Sequence, residues 1–217
     1  MKSTKIQIAK VTPPMIEIEH NHPGEEFGVL GEELMGCGFV RGAVQGIQRP
    51  HTSITECSFD HTTFAACNFK GMQMTDVRFD HCDLSNIAFD DAILFRVEFV
   101  SCKLLGTNFA NSAFNHVSMS GCNNQYINLT ESKMRFCRFT ECDFTAGSMS
   151  DCRLQAVAFE GCRFAETDFS QTSLSGIDLR SSQIAGIRLN LADLRGATIA
   201  PSQSIDLISL LGVEVEG

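Results

Sequence analysis

The sequence predicts an all-β chain wound into a coil of short strands, and two observations carry that prediction. From Ile54 to Ile199 a bulky apolar residue recurs at every fifth position, and only Asn124 interrupts the series. Two places before each of these, a small or β-branched residue recurs in the same phase, as at Cys57, Thr62, Cys67, Met72, Val77 and Cys82. A period of five is neither the 3.6 of a helix nor the plain 2 of a strand.

Positions two apart share one side of an extended strand. Each five-residue unit therefore places one small and one large side chain inward, with the residue between them facing out. The other two residues must turn the chain, and they are polar, as in Asp60-His61, Asp80-His81 and Thr140-Glu141. If each turn is near 90°, four units close a square of 20 residues, and coils stack at about 4.8 Å. A single coil cannot bury a core alone, so every coil needs a neighbour.

Segments such as Cys82-Asp83-Leu84-Ser85-Asn86, Thr167-Asp168-Phe169-Ser170-Gln171 and Ala192-Asp193-Leu194-Arg195-Gly196 resemble the pentapeptide-repeat pattern A(D/N)LXX. The resemblance covers roughly residues 34–199. It implies a right-handed quadrilateral parallel β-helix of about eight coils, with residues 34–200 as the solenoid.

Residues 1–33 do not carry the repeat, and Pro13-Pro14 and Pro23-Gly24 mark irregular chain there. Their expected role is to cover the first coil, because an open β edge invites aggregation. Leu34, Phe39 and Val44 already hold the phase, and Arg49-Pro50 is expected to break it before the regular array opens. After Ile199, Pro201 and Gly212 bracket a predicted helix over Ser202–Leu211, and Val213-Glu214-Val215 reads as a strand. Asn124 is expected to mark a bulge or irregular turn, since a buried amide without partners costs about 1–3 kcal/mol.

At 217 residues the chain fits one domain. Of its 17 phenylalanines, all but Phe27, Phe95 and Phe136 lie on the large inward series, so phenylalanine serves as a core filler of uniform size. A net charge of −9 argues against binding nucleic acid by phosphate neutralisation and favours basic partners. No apolar run approaches the ~18 residues of a membrane span. The basic N-terminus is followed by no apolar stretch, so the expectation is a cytoplasmic protein without a signal peptide.

Ten cysteines invite a metal or disulfide reading. All ten, however, occupy the small inward phase: Cys37, Cys57, Cys67, Cys82, Cys102, Cys122, Cys137, Cys142, Cys152 and Cys162. They are expected to be buried thiols acting as small hydrophobes. Cys82 to Cys162 recur every 20 residues and should stack on one wall, where parallel side chains have the wrong torsion for a disulfide. His20 and His22 flank Asn21, and His61 and His81 should stack on one corner; both pairs read as incidental rather than as metal sites. Ser, His and Asp are plentiful but fall on turn and outward positions, and no Gly-rich phosphate loop is present. The expectation is a protein with no catalytic residues, no cofactor and no metal.

What remains for function is the outward surface and the tail. Asp60, Asp80 and Glu160 share one outward column with Glu141 beside it, and Asp91, Glu131 and Asp151 share another. These acids are the candidate partner-binding surface. The tail, from Ile205 to Val215, resembles the gyrase-protecting branch of the pentapeptide-repeat family, most closely at Leu211-Gly212-Val213-Glu214-Val215. The resemblance implies a homodimer through Ile205, Leu207, Ile208, Leu210, Leu211, Val213 and Val215. It also implies a non-enzymatic DNA mimic that binds DNA gyrase or topoisomerase IV and confers protection from quinolones or a topoisomerase-targeting toxin, including a self-made antibiotic. In one departure from Qnr-like members, the unbroken phase leaves no room for an inserted loop. The alternative is a scaffold that binds another protein through its walls, with Phe95, Tyr126 and Phe136 on outward or corner phases as anchors or as corner covers.

Overall fold

The computed structural model describes residues 9–31, 33–208 and 210. Its strands are β1 (His20–Pro23), β2 (Glu33–Met35), β3 (Cys37–Gln45), β4 (Ser53–Ala65), β5 (Gln73–Asp80), β6 (Ile93–Val100), β7 (Ala113–Ser120), β8 (Lys133–Thr140) and β9 (Arg153–Glu160). All pairings are parallel, and β3 to β9 stack seven deep with each residue over the one 20 places on. The chain is a four-sided parallel β-solenoid with a 20-residue turn.

Each long strand runs through a corner, and β4 through two, at Glu56 and His61. In β5 the ladder pairs Thr75 with Phe95, skips Asp76 and resumes at Val77 with Val97. The opposite sides are joined by single bridges, such as Asp83 to Lys103 and Ala88 to Asn108. There the corners are tight turns: the Ile87 N–H donates to the Leu84 carbonyl at 3.3 Å and the Ala92 N–H to Phe89 at 3.1 Å. Up to Leu174 the residue two after each large inward side chain has a left-handed backbone, whether glycine (Gly106, φ 64°) or not (Asn86, φ 59°; Tyr126, φ 58°). Asn and Gly suit this third turn position. That recurrent Asn, Asp and Gly is the signal from which sequence reasoning could have located the corners.

The interior is a set of columns. Phe39, Phe59, Phe79 and Phe99 stack face to face at 4.9, 4.8 and 5.0 Å. That spacing is the inter-strand distance itself. The small inward position also has a polar duty. Thr107 donates to the Leu84 carbonyl at 2.8 Å, and Ser132 to Phe109 at 2.9 Å. Cysteine thiols make the same contact one coil back, Cys82 to Phe59 at 3.4 Å and Cys162 to Phe139 at 3.4 Å. All ten cysteines are buried and free. Burial pushes the thiols of Cys57 and Cys162 up to about 11 and those of Cys137 and Cys152 to about 12.

At the first coil, Phe27 of the 3-10 turn Gly24–Gly28 meets Phe39, Phe59, Phe64 and Phe69 edge-on at 5.4–5.8 Å. β1 pairs along the outer edge of β3. The break expected at Arg49-Pro50 is absent from the backbone: Gln48 bridges Asn68, and the Arg49 N–H bonds the Asn68 carbonyl at 2.9 Å. What departs from the pattern is the side chain. Arg49 takes the place of a large apolar residue because it reaches the cap, lying 5.7 Å over Phe27 and donating to the carbonyls of Gly28, Leu30 and Gly31.

At the last coil the helix predicted over Ser202–Leu211 is a 3-10 turn, Pro201–Gln203, followed by α1 (Ser204–Ile208). Gln203 closes the end: its amide nitrogen donates to the carbonyls of Leu179 (2.8 Å) and Ser182 (2.6 Å), and its oxygen accepts the Ala200 N–H at 2.7 Å. The predicted strand at Val213–Val215 lies outside the described residues.

No bulge forms at Asn124. Asn123 bridges both Lys103 and Asp143, and the Asn124 N–H bonds the Asp143 carbonyl at 2.8 Å. Ladder bonds on both sides hold the backbone, so the misfit stays in the side chain. Its nitrogen lies 3.6 Å from the Met119 sulfur, and its buried oxygen has no partner among the described residues.

Candidate binding walls

Four corner columns organise the surface. Residues ten apart in a 20-residue coil stand on diagonally opposite corners. One column reads Asp76, Arg96, His116, Phe136 and Ala156, and the opposite one Asn86, Gly106, Tyr126, Ala146 and Glu166. A third carries His61, His81 and Glu141, and the fourth Asp91, Asn111, Glu131 and Asp151.

The predicted acidic surface is divided by this geometry. Asp60 lies directly over Asp80, but Val100, Ser120 and Thr140 then separate them from Glu160. Three of these seven acids have their own cations, Asp80, Asp91 and Glu160, and Asp60 has a histidine partner. Asp60 takes a 2.9 Å contact from His61; Asp80 is held by Arg78 at 2.7 Å and His81 at 2.5 Å. Arg138 pairs with Glu160 at 2.9 Å, and Lys70 with Asp91 at 3.0 Å. Burial works against ionisation of Asp80, but the hydrogen bonds from Arg78 and His81 outweigh it and hold its carboxyl below the usual range. The Lys70 hydrogen bond does the same for Asp91. Glu131, Glu141 and Asp151 make no ion pair among the described residues. His61 and His81 stack at 4.8 Å with rings parallel to 3°. Among the described residues no cluster of three ligand-type side chains is placed to hold a metal.

The outward aromatics divide in the same way. Phe95 meets His116 edge-on at 6.2 Å, and His116 stacks on Phe136 at 4.9 Å. Arg96 lies 4.2 Å over Phe95 and Arg135 5.9 Å over Phe136. These rings fold along their corner and are half-buried. Tyr126 does not fold over: it is 63% exposed, between Gly106 and Ala146 on its column.

Of the tail candidates, Leu207 is buried and Leu210 packs against the core, Ile208 is half-buried, and Ile205 is 70% exposed. Leu211, Val213 and Val215 lie outside the described residues. No helix among those described is long and apolar enough to cross a membrane.

Sequence reasoning missed one element entirely. Residues 9–19 run as an extended strap along the Asp76–Phe136 corner, against the direction of coil growth. Arg138 donates to the Ala9 carbonyl at 2.8 Å, the Thr12 N–H donates to His116 Nδ1 at 3.1 Å, and the Met15 N–H donates to Asp76 Oδ1 at 2.8 Å. Asp76 is buried and also takes both guanidinium contacts of Arg96. The Arg96 hydrogen bond holds its carboxyl below the usual range against the opposing effect of burial, and the Met15 N–H adds to this.

Comparison with solved structures finds the same fold in HetL, a pentapeptide repeat protein involved in heterocyst differentiation regulation in the cyanobacterium Nostoc sp. strain PCC 7120. The two are 15% identical, with 85% of this chain and 86% of that one covered and a TM-score of 0.55. QnrB1, a plasmid-mediated fluoroquinolone resistance protein, aligns at 20% identity over 82% of this chain and all of that one, with a TM-score of 0.49. No curated protein matches the sequence. The family model described as a pentapeptide repeat region matches residues 72–136 and 132–204, more than half of the chain. With the period of five now seen as a four-sided solenoid, the chain belongs to the pentapeptide repeat family.

Proposed function

We propose that the chain is a non-enzymatic binding rod that meets a protein partner at the Tyr126 corner. The observation that carries this reading is the exposure of Tyr126, the large aromatic that stands in solvent on a corner between Gly106 and Ala146. An L-residue in the left-handed region gives up roughly 1–2 kcal/mol, and the corners of this fold accept that cost repeatedly, at Arg96, His116 and Phe136 as well as at Tyr126. The equivalent position one coil earlier is glycine, which relieves that strain. The ring of Tyr126 contributes nothing to the core, being 63% exposed. A large aromatic left in solvent rather than folded along its corner supports a role in recognition, and tyrosine is among the residues that anchor protein interfaces. The test is affinity capture from the source cell with the full chain and with Tyr126→Ala. A reproducible partner lost on that substitution, but kept on Phe136→Ala, is the expected result. Equal capture by wild type and Tyr126→Ala refutes the reading.

The narrower reading is that the partner is DNA gyrase or topoisomerase IV, bound through its basic DNA-binding surface. The net charge of −9 and the unpaired Glu131, Asp151 and Glu141 favour it. Their corners flank the Tyr126 corner and its opposite. Asp80, Asp91 and Glu160 count for less, because their charge is already answered within the chain. Unchanged supercoiling and drug-stabilised cleavage by either enzyme, with and without a quinolone, would sink this reading. A tail-to-tail dimer through exposed Ile205 belongs to the same proposal and is checked by the solution mass of Ile205→Asp.

A further inference from the structure

The strap is bound in an unusual way for a segment of a folded chain. It joins no sheet, and its first β-type backbone bond comes only where the Glu19 N–H meets the Gly36 carbonyl at 2.8 Å. Its side chains are covered unevenly: Ala9 is buried and Val11 half-buried, but Met15 is 62% and Ile18 37% exposed. What holds it are wall side chains that grip main-chain groups: Arg138 a carbonyl, His116 and Asp76 an N–H each.

The spacing explains why an extended chain fits. His116 and Asp76 are 40 residues apart in sequence, two coils of the same corner. Two coils rise about 9.6 Å, and three residues of extended chain, Thr12 to Met15, span about 10 Å. The solenoid pitch and the rise of a β-strand are thus matched, so donors on the ligand meet acceptors on the corner in register. Because these three contacts are to backbone, they are indifferent to the side chains at those positions, and selectivity is left to the space beside Val11. Between Val11 and Pro13 of the strap and Ser118, Ser120, Arg138 and Thr140 of the wall lies a cavity of about 290 Å³. It gives room for a side chain longer than Val11.

We propose that this corner is a groove that reads the main chain of an extended peptide, that residues 9–15 fill it in cis, and that an extended segment of a partner protein enters by displacing the strap. The partner segment recognised best would carry a leucine or methionine in the place of Val11. This surface lies diagonally opposite Tyr126 and does not depend on the role assigned to that residue. Strand-like recognition of main-chain groups with pockets for alternate side chains is an established mode of peptide binding. Here the groups that read the backbone are wall side chains rather than a sheet edge.

The experiment uses the full chain carrying Thr12→Pro and Met15→Pro. These changes remove both N–H donors of the strap and leave the wall untouched, and proline keeps the strap extended. A labelled peptide of residues 9–19 is titrated in trans by fluorescence anisotropy. The expected result is binding to the double-proline chain at least tenfold tighter than to wild type, whose own strap competes. Adding Arg138→Ala or His116→Ala to that chain should remove the gain. A peptide with proline at both donor positions should not bind, and one with leucine in place of Val11 should bind more tightly than the parent. Equal binding to wild type and variant, or equal binding of the proline peptide, overturns the proposal. A second readout needs no variant. In the wild-type chain the Thr12 and Met15 amides should exchange slowly with solvent, and exchange at unprotected rates overturns it as well.

Discussion

Two diagonally opposite corners of the solenoid share a register and a left-handed backbone and yet behave as different surfaces. At Asp76, Arg96, His116 and Phe136 the strand ladder runs through the corner, the side chains contact one another from coil to coil, and the strap covers them. At Asn86, Gly106, Tyr126 and Ala146 the ladder shrinks to single bridges, the turns are closed by their own hydrogen bonds, and nothing among the described residues covers them. The backbone repeat therefore sets where a corner lies, while the outward column of side chains sets what the corner can hold.

The largest expected effect should ignore this distinction. Phe99→Ala removes a fully buried ring that stacks on Phe79 and meets Phe109 edge-on in the interior. It should lower stability by about 3–5 kcal/mol in denaturant unfolding. A much smaller loss would mean that the columns do not form one cooperative core.

Asn124→Leu tests the interior just behind the Tyr126 corner. It replaces a buried amide whose oxygen lacks a partner with the apolar residue found at neighbouring units. Stability should rise by about 1–3 kcal/mol, and a clear loss would show that the amide is needed.

The sharpest comparison swaps glycine into both corners. Tyr126→Gly should raise the unfolding midpoint slightly, with up to about 1 kcal/mol gained from the relieved backbone. Phe136→Gly relieves the same strain at φ 54° but loses its stack on His116. Such stacking is worth roughly 0.5–1.5 kcal/mol beyond area burial, so a net loss of about 1 kcal/mol is expected. Changes of the same sign at both positions would erase the difference between the corners.

The smallest effect concerns the strap contact at Asp76. Its carboxyl is held below the ordinary value of 3.8 in the folded chain, so the unfolded chain binds the proton more readily. By linkage the contribution is fully present above that ordinary value and is lost as pH falls through the lowered one. It should stay at about 1 kcal/mol, because the Arg96 guanidinium that balances the buried carboxylate is itself partly open to solvent. Protection of the Met15 amide should be flat from pH 5 to 8 and fall only in strong acid. Asp76→Asn should remove that acid dependence.

The core was legible because it is periodic. Each inward residue meets the same environment every 20 residues, so Phe39 to Phe99, the ten cysteines and the His61–His81 stack could be placed by counting. Asp60 over Asp80 could be counted too, but not the salt bridges of Arg78 and Arg138 that answer the acids, because the rotamers of long side chains have no period. Arg49 looked like a break in the array for a related reason: its partners lie in the aperiodic cap.

The sequence by itself determined the solenoid, its four-unit turn and the burial of its thiols. A repeat in which each unit packs only against its neighbours makes local phase equivalent to position in space. The tertiary structure alone decided what the irregular ends do. Ala9 meets Arg138 across 129 positions, Gln203 caps carbonyls more than 20 residues back, and Phe27 plugs a coil that precedes the regular series. Each of those contacts is made once, by side chains that no period constrains, and so each exists only when the whole coil has been built to receive it.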